Sequence, residues 1–175
     1  MNRRTGIKTL FILSAGATML PSCLQEDKKQ VPKYKNIKVD EDAFKLVSSL
    51  SEAILPKTSS PGAIEIGAPL FALMMVDECF SPAEQNQFMK GLAEMKEEVH
   101  KKYGKPFSNC ATDQQHEILQ SLEKGKDTQG DLGFFYHHLK GLTMEAFTTS
   151  KYYLTKVQVY VLAPGRFYGC VPVNK

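Results

Sequence analysis

The chain has 175 residues, of which 42% are hydrophobic, 10% aromatic and 23% charged, and its formal net charge is +3. This length fits one domain of roughly 100 to 150 residues and excludes a second full one, and the composition excludes the disordered and fibrous classes. Residues 1–22 carry three positive charges and no negative ones, so the rest of the chain is neutral and offers no electrostatic basis for binding nucleic acid.

Residues 1–22 have the layout of a signal peptide. Arg3, Arg4 and Lys8 form a basic start, and residues 9–20 form a mostly apolar stretch of twelve residues. As a helix this stretch would be about 18 Å long, which is too short for a hydrocarbon core of roughly 30 Å. A cleaved or processed signal is therefore favoured over a permanent transmembrane helix.

The basic start also resembles a twin-arginine export signal. Arg3 and Arg4 are followed by an apolar residue at Ile7 and by Lys8, whereas Gly6 departs from the pattern, so general secretion stays open. The twin-arginine route carries folded proteins and is used when a cofactor must be inserted before export. A folded partner that holds the cofactor and lacks its own signal would explain such a signal on this chain.

The apolar stretch ends at a motif that resembles the bacterial lipobox. Its residues are Leu20, Pro21, Ser22 and Cys23, and Cys23 is expected to be lipidated and to become the new amino terminus. The polar residues that follow predict a flexible tether over residues 23–39. We therefore expect a lipoprotein on the periplasmic side of either the inner or the outer membrane.

Three further cysteines, Cys79, Cys110 and Cys170, remain in the mature chain. The exported compartment allows disulfides, and an odd number predicts one bridge and one free thiol. Three pairings are open, because spacing does not choose among them.

The first half of the domain, residues 40–175, is predicted to hold helices on either side of an exposed loop. Asp40 is typical of an N-cap, and an apolar repeat at helical spacing follows it until Pro56. Residues 56–62, with two Pro and several small polar side chains, are predicted to form a rigid loop. A helix at about residues 66–79 is apolar nearly all round, which is typical of a central helix or of one that faces a partner protein.

The next helix has a specific start signal. Ser81 and Glu84 form a predicted capping box with Pro82 at the first helical position, and Gly104 is expected to end the helix. The buried face is predicted to hold Phe88, Leu92, Met95 and Val99. The opposite face has charges of both signs and is interpreted as solvated surface.

The last third of the chain predicts two more helices and an ambiguous segment. Thr112 is placed at the N-cap of a short helix that Gly125 ends, and a longer helix follows over residues 131–149. Ser150 could cap another helix, yet the alternation of Val157, Val159 and Val161 favours a strand. The predicted fold is an all-α, small irregular bundle of about five to six helices with an extended C-terminal tail.

No residue pattern points to catalysis, to a metal or to a cofactor bound by this chain. The four histidines, His100, His116, His137 and His138, lack metal-ligand spacing, and His137 and His138 are interpreted as one surface and one core residue. Haem, phosphate-loop and dinucleotide motifs are missing. Aromatic residues concentrate late and suit a core or an interface: Phe134, Phe135, Tyr136, Phe147, Tyr152, Tyr153, Tyr160, Phe167 and Tyr168.

Several segments, taken in order, resemble the gluconate 2-dehydrogenase subunit 3 family. They are Ile54-Leu55-Pro56-Lys57-Thr58 with Pro61-Gly62-Ala63, then Asp77-Glu78-Cys79, then Leu139-Lys140-Gly141-Leu142-Thr143 leading to Phe147-Thr148-Thr149-Ser150, and finally Pro164-Gly165. The resemblance covers most of residues 40–173. It implies a non-catalytic accessory subunit of a sugar or sugar-acid dehydrogenase, whose large subunit is an FAD flavoprotein and whose electrons pass to a cytochrome c.

The resemblance and the missing cofactor motif together suggest that this subunit stabilises, co-exports and anchors the flavoprotein. The surfaces expected to dock on it are the loop and the apolar helix, together with late aromatic residues. The residues assigned to this interface are Pro56, Thr58, Pro61, Gly62, Ala63, Phe71, Met74, Met75, Tyr152 and Tyr153. Alternatives are a free-standing periplasmic lipoprotein that binds a small ligand or peptide and, as a weaker hypothesis, a small enzyme with an unrecognised site.

Overall fold

The computed structural model describes residues 33–124 and 130–158, together with residues 160, 161, 163, 165 and 170. The predicted signal peptide, Cys23 and the connection that begins at Gly125 lie outside these residues. Within the described part of the chain there are five α-helices, one 3₁₀ turn, one π-helical turn and no strand. The predicted all-α class is confirmed.

Helix α1, Glu41–Ile54, begins where its sequence predicts. The Asp40 carboxylate accepts a hydrogen bond from the Ala43 backbone N–H at 2.7 Å, which satisfies one of the free donors of the first turn. The apolar repeat then places Val47 and Leu50 fully inside the core. After Leu55 the chain enters the loop that leads to α2.

Helix α3, Pro82–Tyr103, and helix α5, Asp131–Thr148, form the most extensive helix pair. Their axes come close at Gly91, where an added Cβ would lie 2.0 Å from the Asp131 carbonyl oxygen. Beside this contact the rings of Phe88 and Phe135 pack edge to face, with centroids 4.9 Å apart. The predicted capping box at Ser81 and the left-handed C-cap at Gly104 are both present, which confirms both ends of α3.

Helix α2, Ala68–Cys79, packs against α5, α1 and α3 through one broad side. Ala72, Leu73 and Val76 are fully buried on that side and join the single large core of the bundle. The predicted central position is thus met in part, because Leu70 and Met74 are exposed, and a partner on that exposed side stays a prediction.

The start of helix α4, Thr112–Lys124, differs by one residue from the prediction. Thr112 is already helical, and the Gln114 side chain accepts the Ala111 backbone N–H at 3.1 Å. Half of a capping box thus forms one position earlier, because Gln114 reaches back three residues to Ala111 rather than Gln115 to Thr112. A 3₁₀ turn at Phe107–Asn109 precedes the helix and buries Phe107.

The segment after Ser150 is helical, so the strand interpretation is wrong at Val157. The Ser150 hydroxyl accepts the Tyr153 backbone N–H at 3.2 Å, and a π-helical turn covers Tyr153–Val157. Val157 and Val161 are exposed, so neither of the two described valines contributes to a buried face. Val159 and most of the predicted extended tail lie outside the described residues.

The end of the predicted tether belongs to the fold. Residues 35–37 are bound to the carboxyl end of α2, and Ile37 is buried in the main core. Residues 35–37 are therefore part of the fold, and the predicted tether before Lys33 lies outside the described residues. None of the helices in the described ranges combines the length and the hydrophobicity that crossing a bilayer requires.

Candidate partner-docking surface

The loop between α1 and α2 is held rigidly by its own polar contacts. The Ala63 backbone N–H donates to the Leu55 carbonyl at 2.9 Å, and the Ile64 N–H donates to Glu52 Oε2 at 2.9 Å. Lys57 pairs with Glu65 across the loop. These bonds confirm the predicted rigid loop and leave Pro56 and Thr58 exposed.

Two of the predicted interface residues in this loop shape it from inside. Gly62 and Ala63 are buried, and a Cβ at Gly62 would lie 2.4 Å from Glu52 Oε1 and 2.8 Å from the Lys57 backbone nitrogen. Pro61 is half-buried. Glycine at position 62 is thus required for close packing, and the surface that a partner could touch is formed by the neighbours of Gly62 and Ala63.

The solvent side of α2 is apolar at Leu70 and Met74 and carries Glu78 one turn further on. Leu70 and Met74 lie one turn apart and are 44% and 52% exposed, and Phe71 beside them is half-buried. We call these three residues the docking stripe. Met75 is also half-buried, but it packs against the main core. A helix whose outer face holds large apolar side chains is poorly matched to water, which favours a partner on that face.

The loop, the docking stripe and the end of α5 meet at one end of the bundle. Ala63, Ala68 and Ala146 form a small buried cluster, and Phe71 packs against it. Phe147 follows Ala146, and its ring packs against the rings of Tyr152 and Tyr153, at centroid distances of 6.3 and 5.6 Å. The structure therefore brings the three predicted interface regions toward one another.

The late aromatic residues divide between core and surface. Phe135 and Tyr136 are buried, whereas Tyr152 and Tyr153 are half-buried and Tyr160 is exposed. Phe167 and Tyr168 lie outside the described residues. The aromatic residues available to a partner are thus those that follow α5.

Asp77 has a role that the sequence reasoning missed. Its carboxylate accepts the backbone N–H groups of Lys35, Asn36 and Ile37 at 2.9, 2.6 and 2.9 Å. Gln85 and the Asn36 side chain donate to its backbone carbonyl at 2.9 and 2.7 Å. We call this set of bonds the Asp77 clamp.

The Asp77 carboxyl group is charged despite its burial. Burial alone would raise its pKa, but the three backbone donors, together with the charge of Lys35, outweigh burial and hold the pKa of Asp77 below its usual value. A signal for this role was available in the sequence, since position 77 falls on the same helical face as Leu73 and Val76, where an aspartate needs donors.

The histidines and cysteines do not form a reactive cluster. His137 is exposed, whereas His138 is half-buried and packs between Phe80 and Phe134, at centroid distances of 5.2 and 3.9 Å. No group of three metal-ligating side chains occurs among the described residues.

The predicted bridge between two of the three cysteines stays a prediction. Cys79, Cys110 and Cys170 are all free thiols in the structure. Cys110 is buried, and its thiol lies 3.6 Å from the Pro106 carbonyl oxygen, whereas Cys79 and Cys170 are exposed.

Comparison with known proteins identifies the family. The sequence model of gluconate 2-dehydrogenase subunit 3 matches residues 41–165, which include all five α-helices. Neither the curated proteins nor the solved structures gave a significant match. The chain therefore belongs to the gluconate 2-dehydrogenase subunit 3 family, and this membership makes it a subunit of a dehydrogenase complex.

Proposed function

We propose that this protein is the non-catalytic small subunit of a periplasmic, membrane-associated FAD-dependent sugar or sugar-acid dehydrogenase. Its work is to stabilise the flavoprotein subunit, to carry that subunit through export and to hold it at the membrane through a lipid on Cys23. FAD belongs to the partner in this proposal, and a cytochrome c subunit accepts the electrons. This chain binds neither cofactor.

The docking stripe is the observation that carries the proposal. Leu70 and Met74 extend the apolar character of α2 to its solvent side, and the main core already accounts for the opposite face. Interface cores are enriched in aromatic residues and methionine, and methionine adapts its shape to a partner surface. In a family of complex subunits, such a face is best explained by the catalytic subunit packing on it.

The export signal and the lipobox support the same division of labour. Arg3 and Arg4 favour a route for folded proteins, and the domain offers no cofactor that would itself require that route. A flavoprotein that folds around FAD in the cytoplasm would require it. A shared signal on the small subunit, followed by lipidation at Cys23, would export the pair and leave it anchored.

Charge placed in the docking stripe tests the proposal. Met74→Glu should weaken recovery of the flavoprotein by at least tenfold, because burying a methionine side chain contributes about 1.5 to 3 kcal/mol and an unpaired carboxylate adds a desolvation cost. Met144→Glu is the matched control, since Met144 is 43% exposed on α5 and outside the stripe. The measurement is the amount of flavoprotein that co-purifies with each tagged variant from membranes.

Two results would contradict the assignment. Equal recovery with Met74→Glu and with the unaltered protein would show that the stripe is not the interface. Equal loss with Met144→Glu would show a general effect of added charge. Recovery of a solitary lipoprotein from the unaltered chain would instead favour the alternative of a free-standing ligand-binding or peptide-binding lipoprotein.

A further inference from the structure

Residues 33–38 form a lysine-bearing segment that is fixed on the surface of the domain. The Asp77 clamp binds the backbone of residues 35–37, and Ile37 is buried beneath it. The segment carries three lysines with exposed side chains, Lys33, Lys35 and Lys38. A rigid backbone with outward lysines is therefore presented beside the carboxyl end of α2.

The positive charge of this segment is not neutralised by ion pairs. None of the three lysines lies within ion-pair distance of a carboxylate in the described part of the chain, although Lys35 lies close enough to Asp77 to lower its pKa. The acidic side chains that begin α1 are already engaged, since Glu41 pairs with Lys45 and Asp42 with Lys96. The lysines are thus available to an external anionic surface.

We propose that residues 33–38, fixed to α2 by the Asp77 clamp, are the surface with which this domain meets the anionic headgroups of a lipid bilayer. This inference rests on the lipid anchor at Cys23 in the proposed function. Lys33 follows Cys23 by ten positions, so it lies within about 36 Å of the attachment point whatever the conformation between them. The three lysines are consequently the described basic residues nearest to the lipid along the chain.

The clamp also sets the distance between the membrane and the docking stripe. Met74 lies three residues before Asp77 on α2, or about 4.5 Å along the helix axis, so the stripe is held close to the membrane-facing end. Release of the clamp would free residues 35–39 and lengthen the tether by up to about 18 Å. While the clamp is closed, each lysine that lies at the anionic membrane surface strengthens the binding of the domain to that membrane roughly fivefold.

Energy transfer from a fluorophore on Cys79 to acceptor-labelled headgroups tests this orientation. Cys79 is exposed two residues beyond Asp77, and Cys170→Ser removes the other exposed thiol. The comparison label is placed on a second variant, which combines Ile64→Cys with Cys79→Ser. Position 64 is exposed and precedes the amino-terminal end of α2. The twelve residues of α2, which span about 18 Å, therefore lie between the two label positions. Each full-length lipidated protein is attached to vesicles that contain phosphatidylglycerol.

Transfer should be more efficient from Cys79 than from Ile64→Cys, and the difference should shrink on vesicles of phosphatidylcholine alone. Asp77→Ala should abolish the difference, whereas the neighbouring exposed change Glu78→Ala should preserve it. Backbone amide hydrogen exchange at residues 35–37 should be fast in Asp77→Ala and slow in the unaltered protein and in Glu78→Ala. This result would show that the clamp had opened without unfolding the domain.

Attachment with equal transfer from both labels would overturn the inference while leaving the lipid anchor intact. A difference that is unchanged on phosphatidylcholine vesicles would overturn the contact with anionic headgroups. Failure of the protein to attach to any vesicle would contradict the anchor itself, and with it this part of the proposed function.

Discussion

Replacing Gly91 by alanine should destabilise the domain, although alanine is the better helix former. An added Cβ would lie 2.0 Å from the Asp131 carbonyl oxygen and 2.6 Å from Phe135 Cβ. Real Cβ atoms essentially never approach a neighbour within 3.0 Å, so α3 and α5 would have to separate by about 1 Å or more. Overpacking of this kind costs about 1 to 3 kcal/mol, and more when the obstacle is backbone.

Alanine offsets about 1 kcal/mol of this cost through its helix propensity, so we expect a net loss of about 2 kcal/mol in the free energy of unfolding. Gly141→Ala on α5 is the matched control, since a Cβ there meets nothing within 4 Å. It should stabilise the domain by about 0.5 to 1 kcal/mol.

Urea unfolding followed by circular dichroism measures both changes. In thermal unfolding, Gly91→Ala should lower Tm by about 5 °C, whereas Gly141→Ala should raise it by about 2 °C. If Gly91→Ala were as stable as Gly141→Ala, the close approach of α3 and α5 would be refuted.

Three further results are expected. Ser81→Ala should cost about 1 kcal/mol in urea unfolding, because it removes half of the capping box of α3. Because the pKa of Asp77 is lowered in the folded protein, its charge contributes stability that is fully present above about pH 5 and is lost as the pH falls through the lowered pKa. The stability gap between the unaltered protein and Asp77→Asn should therefore shrink between pH 6 and pH 3, and a constant gap would contradict the clamp. Lys-Lys in place of Arg3 and Arg4 should retain this protein and the flavoprotein in the cytoplasm, as fractionation and blotting would show; unchanged export would exclude the twin-arginine route.

Local signals predicted the helices well. Asp40, Ser81 and Gly104 act within a few residues of their own positions, so the ends that they define could be read directly from the sequence. The core face of α3 followed from helical spacing for the same reason. The start of α4 was misplaced by one residue because Gln114, rather than Gln115, supplies the side chain that reaches back three residues, to the backbone of Ala111.

Long-range contacts were the part that the sequence could not predict. The Asp77 clamp joins residues that are 40 to 42 positions apart, and no local pattern pairs them. Without knowledge of that pairing, the sequence around Lys35 and Ile37 predicts only a flexible tether. The valine alternation failed for a related reason: Val157 has no neighbouring strand, so the capping bond at Ser150 determines the local structure.

The candidate interface was predicted in its regions but not in its individual side chains. The apolar helix was recognised, yet only the packing of α2 against α5 shows that Met74 faces solvent while Met75 turns toward the core. In the loop, Gly62 and Ala63 were assigned to the contact, whereas they support it from beneath. Family resemblance suggested the candidate surface, and burial shows which of its residues are accessible.

The most direct test of the proposed function is co-purification from the native membrane. The protein, tagged after Lys175, would be extracted in mild detergent, and the recovered material would be examined by absorbance spectroscopy and mass identification. A stoichiometric yellow flavoprotein of the FAD-dependent dehydrogenase class is the predicted result. A colourless lipoprotein recovered alone would contradict the role of a dehydrogenase subunit.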